Sequence, residues 1–551
     1  MRTLRTMAVA GVAGAALLLG ACDDLDVNNP NEPDADRALA TAGDVESLIA
    51  SSYKSYFQPA QQYSPGNMLS VMADQTTSSW GNFAMRSQGS EPRDAFNNSP
   101  SFTYAFSNEF AWTGCYAALA AVSDGFKAIE GEVSLDNETR ARAFGRFVQG
   151  VCHGFLAMIY DQAAIVDETV NLTEGTPELR PYGEVMNQAL SYLDQAIQLS
   201  ENNTFTLPAS PWINGAERSS SELARIAHSY RARFMAAVAR SPDERANVDW
   251  QGVIDHVDQG IQSDLMVDGA ASDGWWSGIK TLGSNYPGWS RVDYRQIGPA
   301  DTSGAYETRM STPVADRTPI DIQTPDQRFP APSDSATGGY FQYLDAIPHP
   351  PVRGTYHRSH YVDTRYAAYA FSCNFCWTGM VPEMTVTEMN LLKAEALMRT
   401  GSPGQAADII NQTRTANGGL PEVTANGVPD SNSCVPQNAD GSCGDLMDAL
   451  QYEWGVEVFQ VSAGLAWAHD RGWGALVSGT PIHMPVPGSE LEVLQKEIYT
   501  FGGEAGGAAP SVQWNDAASV DRRIENDLKM LERIQKMAPD GRQGLRPNKK
   551  Q

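Results

Sequence analysis

The clearest alternation of apolar and polar positions in this chain runs from Thr385 to Thr413, TVTEMNLLKAEALMRTGSPGQAADIINQT. Met389, Leu392 and Ala396 recur at helical spacing with Ala394, Leu397 and Met398 beside them, so one face is apolar. Thr385, followed three residues later by Glu388, has the form of a capping box, in which each side chain bonds the other's backbone N–H. Ser402 and Gln405 repeat the device for a second helix, with Pro403 at its first helical position. Gly401 suits the left-handed residue that closes the first helix. The pattern predicts two helices folded back on each other, with small Ala394 and Ala406 at the close approach and Leu397 and Ile410 in the seam. One such hairpin cannot bury its own apolar face, so copies are expected elsewhere.

They are found. Ala189, Leu193 and Ala196, within 181–199, keep the spacing of Ala406, Ile410 and Thr413. Val253, Val257 and Gly260, within 250–265, keep it again after an alanine-rich helix over 222–240. Further amphipathic helices are expected over 38–57, 110–129, 141–162 and 445–460, with a charged one over 521–537. The expectation is an all-α body: tetratricopeptide-like hairpins near 141–199, 222–265 and 385–417, forming a right-handed superhelical scaffold. From 268 to 383 the helical period vanishes in favour of Gly, Pro and aromatic residues. So long an irregular segment in a compact protein is usually functional, and it is expected to carry the ligand site. A second loop region covers 418–444.

The ends read differently. Arg2 and Arg5 precede an apolar run over 7–20 that is too short to span a bilayer. Leu19-Gly20-Ala21-Cys22 then resembles a bacterial lipobox, which implies cleavage of a 1–21 signal peptide and lipidation of Cys22. The acidic, turn-rich 22–36 would be a tether, and 37–551 a single body. Lys and Arg number 40 against 66 Asp and Glu, so 40 − 66 = −26. That charge repels nucleic-acid phosphates and anionic lipid, leaving a lipid anchor as the expected hold on a membrane.

Candidate chemistry is binding chemistry. There is no glycine-rich phosphate loop, no H-E-x-x-H and no G-x-S-x-G, and no catalytic residue, cofactor or metal ligand is assigned. Sugar rings present C–H faces that stack on Trp and Tyr, while hydroxyls take hydrogen bonds from nearby amides. Trp80 with Asn82 from one loop, and Trp275, Trp276, Tyr286 and Trp289 from the irregular segment, are the candidate ligand contacts. At least two of these five aromatics are expected to face solvent. Six cysteines besides Cys22 suggest the pairs Cys115–Cys152, Cys373–Cys376 and Cys434–Cys443 in an exported chain. A zinc site from the last four is the alternative, but Cys434 and Cys443 lack zinc-knuckle spacing.

In the lipobox, the AEALMRTG…AADIINQTR hairpin, and GLAWAHDRGWG (464–474) followed by Pro485-Val486-Pro487 and Glu490, the chain resembles SusD/RagB-family surface lipoproteins. The resemblance covers nearly everything after the signal. It implies a nutrient-binding protein on the outer face of the outer membrane that passes an oligosaccharide to a SusC-like TonB-dependent transporter. It also assigns Trp467 and Trp473 to the core, within a C-terminal motif region over 445–494. The family usually carries Glu-Arg before the last motif, where this chain has Glu453-Trp454. Two other functions compete: a secreted glycan hydrolase, which would shorten its ligand, and an envelope scaffold, which would bind protein and no small ligand.

Overall fold

The structure, a computed structural model, describes residues 39, 41–78, 83–131, 133–171, 175–285, 290–345, 358–374 and 376–503. Its principal helices are α1 (Ala42–Gln61), α2 (Tyr63–Met72), α3 (Phe106–Glu130), α4 (Glu138–Ile159), α5 (Tyr182–Glu201), α6 (Ser220–Ala237), α7 (Trp250–Asp258), α8 (Val386–Arg399), α9 (Pro403–Ala416), α10 (Leu446–Glu457), α11 (Leu465–Trp473) and α12 (Gly488–Val493). Strands occur only as two-stranded antiparallel ribbons among the described residues. The fold is all-α.

Helix α4 is the hub. Asn137 caps it by accepting from the Arg140 N–H at 2.9 Å. Glycine inside a helix costs roughly 1 kcal/mol against alanine, and three glycines here each admit a neighbour. A Cβ at Gly145 would lie 2.4 Å from the Phe126 ring of α3, one at Gly150 2.6 Å from Leu193 of α5, and one at Gly154 2.3 Å from Phe234 of α6. From there the helices stack in chain order, α4 on α5, α5 on α6, α6 on α7, α7 on α8 and α8 on α9, while α1 lies across α3 and α4. One continuous core of buried aliphatic and aromatic side chains runs through them.

The predicted helix starts are close, but some of the caps differ. Thr385 accepts from the Glu388 N–H at 3.0 Å, as expected. The Glu388 carboxylate does not return to the cap. Arg233 of α6 takes it with two hydrogen bonds, at 2.6 and 2.7 Å, because a buried guanidinium needs a carboxylate more than an exposed cap needs a second acceptor. Ser402 makes no side-chain cap bond, although Pro403 and left-handed Gly401 stand as read. Complete capping boxes form instead at Ser219 with Glu222 and at Asp445 with Asp448.

Leu265 is not helical. It begins a strand, Leu265–Ala270, that pairs antiparallel with Thr378–Met384. This ribbon ties together the two ends of the irregular segment. Within the segment a second core forms around Tyr294, Ile297, Phe329, Phe341 and Tyr361, joined by Tyr452 and Phe459 from the far side of the chain. Its centre is Arg328, which donates to Asp326 at 2.7 Å, Glu453 at 2.8 Å and Glu457 at 2.8 Å with no exposure of its own. Tyr452 O–H donates to Asp326 at 2.6 Å and Tyr340 O–H to Glu457 at 2.8 Å, so the carboxylates are further satisfied. The guanidinium that partners Glu453 therefore comes from 125 residues earlier in the chain rather than from position 454.

Two cysteine pairs are bonded, Cys373–Cys376 and Cys434–Cys443. Cys115 and Cys152 are free thiols, contrary to the pairing expected from sequence. They are neighbours in the α3–α4 interface, and burial together with Cys115 pushes the Cys152 thiol well up, which keeps it protonated.

Candidate ligand-binding surface

A short ladder brings two of the candidate loops to one place. Thr76–Ser78 pairs antiparallel with Ser290–Val292, in the register Thr76 with Val292, Thr77 with Arg291 and Ser78 with Ser290. Ser78 leads into 79–82, and Ser290 follows 286–289. The two chain segments that carry Trp80, Asn82, Tyr286 and Trp289 are thus anchored at facing residues of the same ladder end. Those four residues themselves lie outside the described residues, as do Cys22, the 22–36 segment and the stretch 521–537 expected to be helical.

The ladder is held from below. Asp293 N–H donates to Gln75 O at 3.1 Å and Ser359 Oγ–H to Val292 O at 2.7 Å. Arg291 and Arg358 are both buried beside it. Burial, with Arg358 adding to it, lowers the Arg291 guanidinium to about 9, and burial lowers Arg358 to about 10. The π-helical turn Ile279–Asn285, which precedes the second loop, is buried throughout. Its Lys280 ammonium donates to Gln61 Oε1 and Val461 O at 2.6 Å each, and burial lowers it to about 7.

Trp275 and Trp276 are elsewhere. At 3% and 6% exposed, both belong to the main core. Trp275 packs on Phe57 with ring centres 5.1 Å apart, and its carbonyl accepts from the Ala270 N–H at 2.8 Å. Trp276 stacks on Trp377 at 4.7 Å and 11°, and its indole N–H donates to Thr281 Oγ1 at 3.2 Å. Neither offers a face to a ligand. An apolar ring at the foot of a ribbon fills the gap between ribbon and helix, and this accounts for their place. Trp467 is fully buried, as the motif reading expects, and Trp473 is partly buried.

A separate concavity of about 670 Å³ lies among the described residues. It is bordered by Asp74, by 295–311 and by α10 and α11. Asp74, Glu307, Asp448 and Asp470 face it alongside Tyr306, Trp454 and Trp473. Sequence reading missed it, because its wall is assembled from residues as far apart as Ala73 and Ala475.

A SusD superfamily protein from Bacteroides thetaiotaomicron superposes with a TM-score of 0.50 at 15% identity, covering 83% of this chain and 98% of that one. Surface glycan-binding protein A from Bacteroides uniformis superposes at 0.53 with 12% identity, covering 82% and 98%. The chain has the SusD fold. No sequence-family model matches it, and no curated protein is similar to it in sequence. Within this SusD fold the helical hairpins form one part, and the irregular segment with the ladder forms the other. No helix of the described residues is long and apolar enough to cross a membrane.

Proposed function

We propose that this SusD-like chain is a lipid-anchored protein of the cell surface that captures an oligosaccharide and passes it to a TonB-dependent outer-membrane transporter. The observation that carries the reading is the ladder register. Ser78 and Ser290 face each other, and the chain leaves Ser78 toward Trp80 and Asn82 and reaches Ser290 from Tyr286 and Trp289. Together with the SusD fold, this supports a glycan site to which Trp80, Asn82, Tyr286 and Trp289 contribute stacking faces and an amide, the groups that sugar rings require. One solved structure with the same fold is named a surface glycan-binding protein. The acidic body and the lipobox-like Leu19-Gly20-Ala21-Cys22 support a tethered partner that stays near its transporter at high effective concentration. The function is capture without turnover.

Trp80→Ala and Trp289→Ala are expected to lower affinity for the bound glycan by tens- to several hundred-fold, measured by calorimetry after a glycan array, with an unchanged melting temperature. Unchanged affinity in both would defeat the reading. Shortening of the glycan on incubation would favour a hydrolase, and Cys22→Ser should release the protein from membranes.

A further inference from the structure

Two histidines meet across the joint between α6 and α7. His228 Nδ1 of α6 lies 2.7 Å from His256 Nδ1 of α7, with the rings centred 5.0 Å apart. Two ring nitrogens at that distance share one proton, and the groups on the other two nitrogens decide which ring carries it. Arg231 decides it here. Its Nε–H is always a donor and lies 2.7 Å from His256 Nε2, so that nitrogen is bare. His256 therefore carries its proton on Nδ1 and donates it to His228 Nδ1. His228 keeps its own proton on Nε2, which faces Glu201 Oε1 of α5 at 3.5 Å. The series from Arg231 to Glu201 runs in one direction, and both rings are neutral.

Neither ring can take a second proton in place. On His256 it would enter at Nε2, against the Arg231 N–H; on His228 it would enter at Nδ1, against the His256 N–H. The guanidinium cannot step aside, because another of its N–H groups donates to Leu190 O of α5 at 3.0 Å. A metal shared by the two Nδ1 atoms meets the same obstacle, since it would force a proton onto His256 Nε2. The acids around the pair are engaged or in water. On α5, Asp194 lies 3.2 Å from Arg231 Nε, and Glu201 is exposed. On α7, Asp249 caps the helix at the Gly252 N–H, Asp255 is exposed and accepts from Gln251, and Asp258 is taken by Lys393 of α8. Burial, then Arg231 and His228, lowers His256 to about 4, and burial lowers His228 against the pull of Glu201.

Helix α7 depends on this joint. Its nine residues are too few for a helix stable on its own, and it is packed between α6 and α8. Residues 259–264 lead from it into the ribbon strand Leu265–Ala270, and Asp264 Oδ1 accepts from the Val386 N–H at the start of α8 at 2.8 Å. We propose that the His228–His256 pair is an acid-sensitive latch: a proton taken up by either ring parts α7 from α6 and loosens the ribbon that ties the two ends of the irregular segment. The sign follows from His256. Freed, it has its ordinary 6.5; latched, it has about 4, so between these values only the open form binds the proton. Opening therefore rises as pH falls, by up to about tenfold per pH unit for each ring. The latch stands independently of the glycan site on the loops.

Hydrogen–deuterium exchange of the full chain from neutral pH down to about 5, corrected for the intrinsic pH dependence of amide exchange, tests it. Peptides over 250–258 should exchange faster than those of α4 at every pH, and their opening should rise about tenfold per pH unit below about 6. His256→Gln keeps an acceptor for Arg231 and cannot titrate, so it should lessen that rise; His228→Asn with His256→Gln should abolish it. A flat pH profile for 250–258 in wild type, exchange there no faster than in α4, or an undiminished rise in the folded double variant would each overturn the proposal. Should the double variant not fold, exchange at the histidine C2 position in the wild-type peptides decides alone. Both rings titrating at 6.5 while α7 stays closed would defeat the latch; titration of His256 well below 6.5 would support it.

Discussion

Around α4, order comes from repeating apolar positions. Phe126, Leu193 and Phe234 each lie against a glycine of one helix, carbon on carbon, while the buried pairs Arg233–Glu388 and Arg245–Glu395 sit further along the stack. Around Arg328 there is little helix to repeat. Phe329, Phe341 and Tyr361 form a small core, and a guanidinium with three carboxylates fixes segments 326–328, 340 and 453–457 to one another. A hairpin body can be assembled from local patterns because each helix needs only the next. An irregular segment has no ladder to satisfy its polar groups, so it recruits buried charge from distant parts of the chain. The difference predicts that the two regions fail differently.

The largest effect should come from Arg328→Met. It leaves Asp326, Glu453 and Glu457 facing one another without their cation, in a site where Glu453 is already raised by burial and by Glu457. Breaking a buried pair on one side typically costs about 3–5 kcal/mol. Urea unfolding should show that loss. Because the loss comes from like charge, acidification should recover part of it as the acids protonate. A variant that is equally unstable at all pH values would mean that Arg328 matters for its volume and not for its charge.

Gly154→Ala probes the other region and should cost less. The new methyl enters the Phe234 ring, and overpacking of this kind costs about 1–3 kcal/mol, offset by about 1 kcal/mol of helix propensity. Phe234→Leu in the same chain should recover most of the loss, since it vacates that space. If the pair simply adds, the close approach is not what holds α4 to α6.

How much could be read in advance follows from the same contrast. The hairpins of α4–α9 were legible because spacing along a helix is spacing in space, so Ala189 and Leu193 or Ala406 and Ile410 announce their own face. The ribbon of Leu265–Ala270 with Thr378–Met384 was not legible, because its partners are more than a hundred residues apart and Pro382 interrupts the pattern. Trp275 and Trp276 looked available because they sit among glycines, a setting that a buried ribbon foot shares with an exposed loop. Glu388 looked like a cap partner until Arg233, on a different helix, claimed it. The cavity had no sequence signal: Asp470 lies inside a motif read as structural, and nothing local marks Asp74 as its neighbour.

The last effect concerns protons, and here two buried groups of the main core should pull in opposite directions. His153 in α4 is fully buried, with Nδ1 bonded to Gln149 O at 2.8 Å and Nε2 accepting from the Val166 N–H at 3.1 Å. Burial lowers it to about 4. Between that value and its ordinary 6.5 the unfolded chain binds a proton that the folded chain does not, so the hairpin body loses stability as pH falls through this window. Asp470 is the reverse. Burial first, and then Asp74, push its carboxyl up to about 8 from an ordinary 3.8, with Arg245 opposing. Between those values the folded chain holds a proton that the unfolded chain has released, so stability is lost as pH rises and the loss levels off above about 8. Asp470→Asn cannot ionise and should abolish that decline. Its melting temperature should match wild type in acid and exceed it increasingly toward pH 8, by a few degrees at most. The acid-side loss governed by His153 should be untouched. Parallel profiles for the two proteins across the neutral range would show that Asp470 titrates as an ordinary surface acid and that its cavity is open to water.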